Sequence, residues 1–129
     1  MEKQIVNKNI LEQLRKVFLY RYNEESWGTS VLIISKNGKA FVSVHRYDDE
    51  LNTIYISDLH VDITLASKGI GTKLLRICEL FSMDLHAEFA CLKVNKNLWI
   101  YDWYKRKGYD DYMIDKDDSN FIWMRKLLN

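Results

Sequence analysis

Thr53-Ile54-Tyr55-Ile56-Ser57-Asp58-Leu59-His60-Val61, a polar stretch from Asp62 to Lys68, and then Gly69-Ile70-Gly71-Thr72 form the passage that decides the fold of this chain. The first run carries Ile54, Tyr55 and Ile56 and reads as a strand. The residues after the glycines change period. Ile70, Leu74, Ile77, Cys78, Phe81 and Leu85 recur at helical spacing, so a helix is expected from about Gly69 to His86. Leu75 and Leu80 widen its apolar stripe, which predicts cover on more than one side. Cys91-Leu92-Lys93-Val94 follows as a short buried strand. Strand, helix and strand in that order make a parallel crossover.

Upstream, Trp27 to Ser35 is rich in β-branched residues, and Ala40 to Tyr47 reads as its return strand. Asn37-Gly38 lies between them and predicts a tight hairpin, the type I′ turn needing positive φ at both central residues. Asp48-Asp49-Glu50 is a charged turn leading into Thr53. These three strands can form an antiparallel meander. Earlier still, Ile10, Leu14, Val17 and Phe18 share a face with Leu11 beside them, so a helix is expected from Asn7 to about Tyr22. Gln4-Ile5-Val6 is a short strand or nothing. Downstream, Leu98 to Lys107 reads as a further helix with Asn97 as its cap and Gly108 as its left-handed end. Tyr109 to Ile114 and Asn120 to Leu127 read as a last hairpin. The expected class is α/β with a mixed, mostly antiparallel sheet.

The 129 residues, without linker, repeat or low-complexity stretch, predict one domain over 1–129. A formal net charge of +1 supplies no field for nucleic acid or an anionic membrane. No apolar run approaches the roughly 18 residues that span a bilayer. No apolar stretch follows Met1-Glu2-Lys3-Gln4, so a cytoplasmic protein is expected. Cys78 and Cys91 sit in apolar patterns and read as free thiols, and the three histidines with them show no metal-ligand spacing.

Two segments carry chemistry. In Ala66-Ser67-Lys68-Gly69-Ile70-Gly71-Thr72 the glycines let the backbone approach a ligand closely. The amides of a helix's first turn have no internal partners, so with the helix dipole they favour an anion such as pyrophosphate. Lys68 and Lys73 add charge. A lone Gly-x-Gly serves equally well as a tight turn with close packing. There is no GxxxxGK[ST] motif, and Leu74 stands where the dinucleotide fingerprint needs a third glycine. The second segment runs from Asn97 to Tyr109. Ile100, Trp103, Tyr104 and Lys107 share one side at spacings of three and four. Tyr104 is either a core aromatic or a phenol able to donate a proton.

Together these segments resemble the GNAT superfamily of N-acetyltransferases. The family's [RQ]-x-x-G-x-[GA] falls on Ala66 to Gly71, and Leu59-x-Val61 matches the usual ending of the preceding strand. Its N-x-x-A-x-x-[LF]-Y-x-x-x-G-[FY] falls on Asn97, Ile100, Trp103, Tyr104, Gly108 and Tyr109 with every spacing kept. The resemblance covers roughly residues 53 to 127. It implies a GNAT-like sheet with a central splayed parallel strand pair, flanked by helices.

The resemblance also implies acetyl transfer from acetyl-CoA to a primary amine of a small molecule or peptide, by direct attack in a ternary complex. The parting strands would be Thr53–Val61 and Cys91–Val94. The main chain of Leu59, His60 and Val61 would pair with the pantetheine arm. Amides of Ala66, Ser67, Lys68, Gly69, Ile70, Gly71 and Thr72 would hold the pyrophosphate, Asn97 would bond the cofactor arm, and Tyr104 would bind beside the sulfur and act as general acid. The backbone N–H of Val61 is the expected donor to the thioester carbonyl. Neither metal nor nucleic-acid partner is implied, and a monomer or homodimer is expected.

Three departures stand out. Ala66 replaces Arg or Gln, Ile100 replaces a small residue, and the family's first strand is short or lost. No base is legible. Strict alternation puts Tyr55, Ser57 and Leu59 on one face and Asp58 and His60 on the other, unless a bulge intervenes. His45 and His86 read as surface or packing residues. Tyr20, Tyr22, Trp27, Glu24 and Glu25 are candidates for the acceptor side. The alternative function is a GNAT-like protein that binds acetyl-CoA without catalysis. A nucleic-acid or protein-binding module on Lys105-Arg106-Lys107 is disfavoured by the near-neutral charge.

Overall fold

The computed structural model describes residues 18–62 and 69–128, except for the side chain of Tyr20. The helix expected from Asn7, the short strand at Gln4–Val6 and the amides of Ala66, Ser67 and Lys68 lie outside the described residues, apart from the helix's expected end at Phe18–Tyr22.

Among the described residues seven strands form one sheet in the order β1-β2-β3-β4-β5-β7-β6. They are β1 Phe18–Glu25, β2 Gly28–Ser35, β3 Ala40–Tyr47, β4 Thr53–Val61, β5 Phe89–Asn95, β6 Asp110–Ile114 and β7 Phe121–Leu127. Two helices join them, α1 Ile70–Asp84 and α2 Trp99–Arg106. β1 to β4 form an antiparallel meander, β4 and β5 are parallel, and β7 lies antiparallel between β5 and β6.

Phe18 to Tyr22 corrects the helix expected there. These residues are strand, paired with β2 from Phe18↔Ser35 to Glu25↔Gly28. Phe18 fits the helical period of the residues before it, and it also alternates with exposed Leu19 and is itself buried. Pairing along the whole of β2 settles the choice, since tertiary contacts override a local pattern. The Asn37-Gly38 hairpin is present but its turn differs from type I′. Only Gly38 has positive φ, 75°. The loop is held instead by the Asn37 side chain, whose Oδ1 accepts from Ser35 Oγ and from the Lys39 amide.

Both helices pack on one face of the sheet. α1 buries Leu74, Leu75, Ile77, Cys78 and Leu80 against Val42, Val44, Ile54, Ile56 and Leu92. Each such side chain contributes about 1.5–3 kcal/mol on burial. Among them lies a carboxylate that sequence reading passed over. Glu79 is buried in the core, where its oxygens accept from the Tyr109 hydroxyl at 3.0 Å and from Lys126 Nζ at 3.2 Å. Arg76 adds a partly exposed contact at 3.4 Å. A buried charge needs such partners, because desolvation otherwise costs several kcal/mol.

Candidate acyl-donor cleft

β4 and β5 pair in register from Thr53↔Phe89 to Ile56↔Leu92, and there the pairing ends. Beyond it β4 continues to Val61 against β3, while β5 continues to Asn95 against β7. The two strands therefore part in the middle of the sheet. The opening continues into a cleft of about 450 Å³ lined by Leu59, His60, Val61, Gly69, Gly71 and Thr72, with Trp99, Ile100 and Trp103 opposite.

A β-bulge shapes the β4 side. Ser43 pairs with Asp58 but Val44 pairs with Ile56, so Ser57 is the extra residue. Its hydroxyl donates to the Ser43 carbonyl at 3.2 Å. The bulge moves the alternation by one. Leu59 and Val61 join Ile54 and Ile56 against the core, and His60 stacks beside Phe41 on the other face with ring centroids 5.3 Å apart. Strict alternation, with Leu59 on the side of Tyr55, fails for this reason.

The helix start is built for close approach. Gly69 caps α1 in the left-handed region, φ 75°, and among the described residues no side chain caps the first-turn amides. No acidic residue occupies that turn, so the turn itself offers nothing to offset the positive end of the helix. A Cβ on Gly71 would lie 3.6 Å from Val61 Cγ2 and 3.7 Å from Trp103 Cζ2, inside the cleft. Glycine keeps that space open. A phosphate group fits such a cradle.

The other expected residues are placed as follows. Ile70 packs against the core. Asn97 does not cap α2. Leu98 is the cap residue, no side chain bonds there, and Asn97 Nδ2 donates instead to Asn120 Oδ1 at 3.3 Å. The Asn95 side chain accepts the Asn97 amide, which draws Asn97 into a local turn. Tyr104 is buried between Trp103 and Tyr109, with ring centroids at 5.1 and 5.6 Å. It is not part of the cleft lining. Burial, and then the neighbouring Cys78, push its phenol well above the ordinary range, so it keeps its proton.

Ile100 and Trp103 were legible as motif positions but not as a cleft wall, and Trp99, between motif positions, carried no signal. Lys107 Nζ lies over the Trp103 ring at 5.4 Å and brings a cation to that wall. Glu24 and Glu25 are exposed at the end of β1.

No family model matches the chain, and no curated protein matches it. Solved structures do. An acetyltransferase from Bacillus cereus aligns at TM-score 0.61 and 20% identity over 98% of this chain and 91% of that one. A nourseothricin acetyltransferase aligns at TM-score 0.63 and 15% identity, covering 87% and 85%. The ribosomal-protein-S18-alanine N-acetyltransferase of Escherichia coli aligns at TM-score 0.62 and 16% identity, covering 82% and 72%. The chain has the GNAT acetyltransferase fold. Among the described residues no helix is long and apolar enough to cross a membrane.

Proposed function

We propose that this protein is an N-acetyltransferase that moves an acetyl group from acetyl-CoA to a primary amine. One observation carries the reading. The start of α1, with a left-handed glycine as its cap and no acidic residue in its first turn, and the edge of β4 freed by the splay face the same cleft. The first suits a pyrophosphate and the second suits the amide-bearing arm attached to it.

In this reading the amides of Gly69 to Thr72 hold the phosphates and Leu59 to Val61 pair with the arm as an added strand. Val61 lies beside Gly71, at the phosphate end. The five steps along the strand from Ile56 to Val61 span roughly 16 Å, so the thioester falls back toward the splay. The N–H that polarises its carbonyl then belongs nearer Leu59 than Val61. The neutral amine attacks the carbonyl carbon, a C–N bond forms and the C–S bond breaks. The coenzyme A thiolate takes up a proton and the nitrogen gives one up, which leaves an amide and a free thiol. Tyr104, holding its proton at working pH, is the proposed donor. The protein would work where acetyl-CoA is supplied, in the cytoplasm.

Binding of acetyl-CoA without turnover is the second reading. The position of Tyr104, buried and away from the cleft lining, favours it. Two measurements separate them. Saturating acetyl-CoA should raise the melting temperature, since it binds only the folded state. No shift would remove both readings. Thiol release should then be followed across an amine panel with wild type and Tyr104→Phe. A fall of about 100-fold in kcat supports the acid role, general acid catalysis contributing 10²–10⁴-fold. Equal rates remove Tyr104 from it, and no release with any amine leaves binding alone.

A further inference from the structure

A second cavity, of about 370 Å³, opens on the face of the sheet opposite the helices. Ile56, the last residue of β4 paired with β5, and Ser57, the bulge beside it, belong to its lining. It therefore adjoins the point where the strands part, and where the proposed reading puts the thioester. An amine held here would face that carbon through the gap.

The rest of the lining is mostly aromatic: His45, Tyr47, Tyr55 and Trp123. The rings are organised. His45 stacks on Tyr55 with centroids 5.7 Å apart and planes at 18°. Tyr47 stands edge-on to both, and Trp123 edge-on to Tyr55. Two of their polar ends are occupied elsewhere. The Tyr55 hydroxyl donates to Glu50 at 2.6 Å, and Trp123 Nε1 donates to Asp115 at 3.1 Å. Those bonds orient the two rings.

The charge of the lining is as informative as its shape. Among the described residues its one permanently charged side chain is a cation, Lys93, and no carboxylate lines it. Lys93 lies over the Trp123 ring at 5.6 Å, with Asp115 at 3.9 Å. Burial lowers the pKa of His45 against the opposing pull of Asp58, so the imidazole is neutral near pH 7. A polycation would meet a lysine, and the carboxylates behind the lining rings are already engaged, Glu50 by the Tyr55 hydroxyl and Asp115 by Trp123 and Lys93. One ammonium can rest against aromatic faces, and a flat apolar body can fill the space between rings.

Resting on the acetyltransferase reading, we infer that this cavity is the acceptor site and selects a mono-amine carried on a flat, aromatic body, and rejects polyamines and aminoglycosides.

The test uses tryptamine and phenethylamine against spermidine and kanamycin. With acetyl-CoA present and thiol release as readout, the arylalkylamines should exceed spermidine at least 100-fold in kcat/KM. Lys93→Glu, at a side chain 44% exposed, removes the contact with Asp115 and should narrow that ratio at least 10-fold by improving spermidine, with thermal unfolding of the variant checking its fold and Lys93→Gln, which adds no charge beside Asp115, expected to narrow it in the same direction. Tyr47→Ala should raise the tryptamine KM at least 10-fold while the thermal shift with acetyl-CoA stays as in wild type. Calorimetric titration of tryptamine and spermidine without acetyl-CoA reads the cavity independently of turnover. If acetyl-CoA fails to bind but tryptamine still binds better than spermidine, the donor reading falls and the preference for a flat mono-amine stands. Preference for spermidine or kanamycin, or a ratio unmoved by Lys93→Glu, overturns the inference.

Discussion

Gly71→Ala should make the protein more stable and its acetyl-CoA binding weaker. Gly71 is the second residue of α1, in helical conformation, and the added methyl would meet Val61 and Trp103 at 3.6 to 3.9 Å. Those are ordinary contacts, so nothing needs to move. Alanine in place of a helical glycine is worth about 0.5–1 kcal/mol. In the first turn the lower end applies, which raises the melting temperature by about 2 °C for a domain of this size. The same methyl fills the space between two cleft walls and holds a phosphate off the amides. Loss of one hydrogen bond to a charged group costs about 1.5–3 kcal/mol, or about 10- to 100-fold in Kd. Gly69→Ala is the companion. Its φ of 75° penalises any side chain, while nothing lies within 4 Å of the added methyl. It should lose about 1 kcal/mol of stability. Thermal unfolding of the free proteins and calorimetric titration with acetyl-CoA give both quantities. A Gly71→Ala protein that melts higher yet binds acetyl-CoA within twofold of wild type would refute the placement of the phosphates. One that melts several degrees lower would refute the packing argument.

Three further outcomes are expected. Lys126→Met should cost about 2–3 kcal/mol in urea unfolding, because it strips a buried carboxylate of its nearest cation while Arg76 remains, and adding Glu79→Gln should recover part of the loss; an unchanged midpoint would refute it. His45 titrates below its unfolded value of 6.5, so between those two pKa values the unfolded chain binds more protons and stability falls as pH falls. Tyr47 and Tyr55 flank the ring and Asp58 opposes the shift, so His45→Gln should flatten the slope of stability against pH below 6.5, and an unaltered slope would assign it to other groups. Burial pushes the Cys91 thiol up to about 11 and Cys78 higher still, so a disulfide reagent at neutral pH should label neither within minutes until urea is added; prompt labelling of the folded protein would contradict their burial.

The elements legible in the sequence are those whose signal is local. The period of Ile70 to Leu85 specifies α1, because an apolar stripe at helical spacing has one way to be buried. β2 and β3 announce themselves by β-branched residues on either side of Asn37-Gly38, and the β6–β7 pair by apolar and aromatic residues on either side of the polar run Lys116 to Ser119. The Gly69–Gly71 spacing marks a helix start, while the open space in front of it is a finding of the tertiary structure.

Features that depend on a partner strand were decided by the tertiary structure. Phe18 to Tyr22 suits helix or strand until β2 lies alongside. The bulge at Ser57 is a mismatch between β3 and β4, visible only once Ser43 and Val44 are paired, and it alone determines that Leu59 and Val61 face the core. Glu79 reads as an ordinary helical charge until Lys126, 47 residues later, reaches it. His45 and Trp123 are far apart in the chain and meet as walls of one cavity because β3, β4, β5 and β7 are neighbours. Local periodicity reports which residues are apolar and at what spacing. Register and strand order determine which of them share a cavity, and one residue's slip in register moves every following side chain to the opposite face.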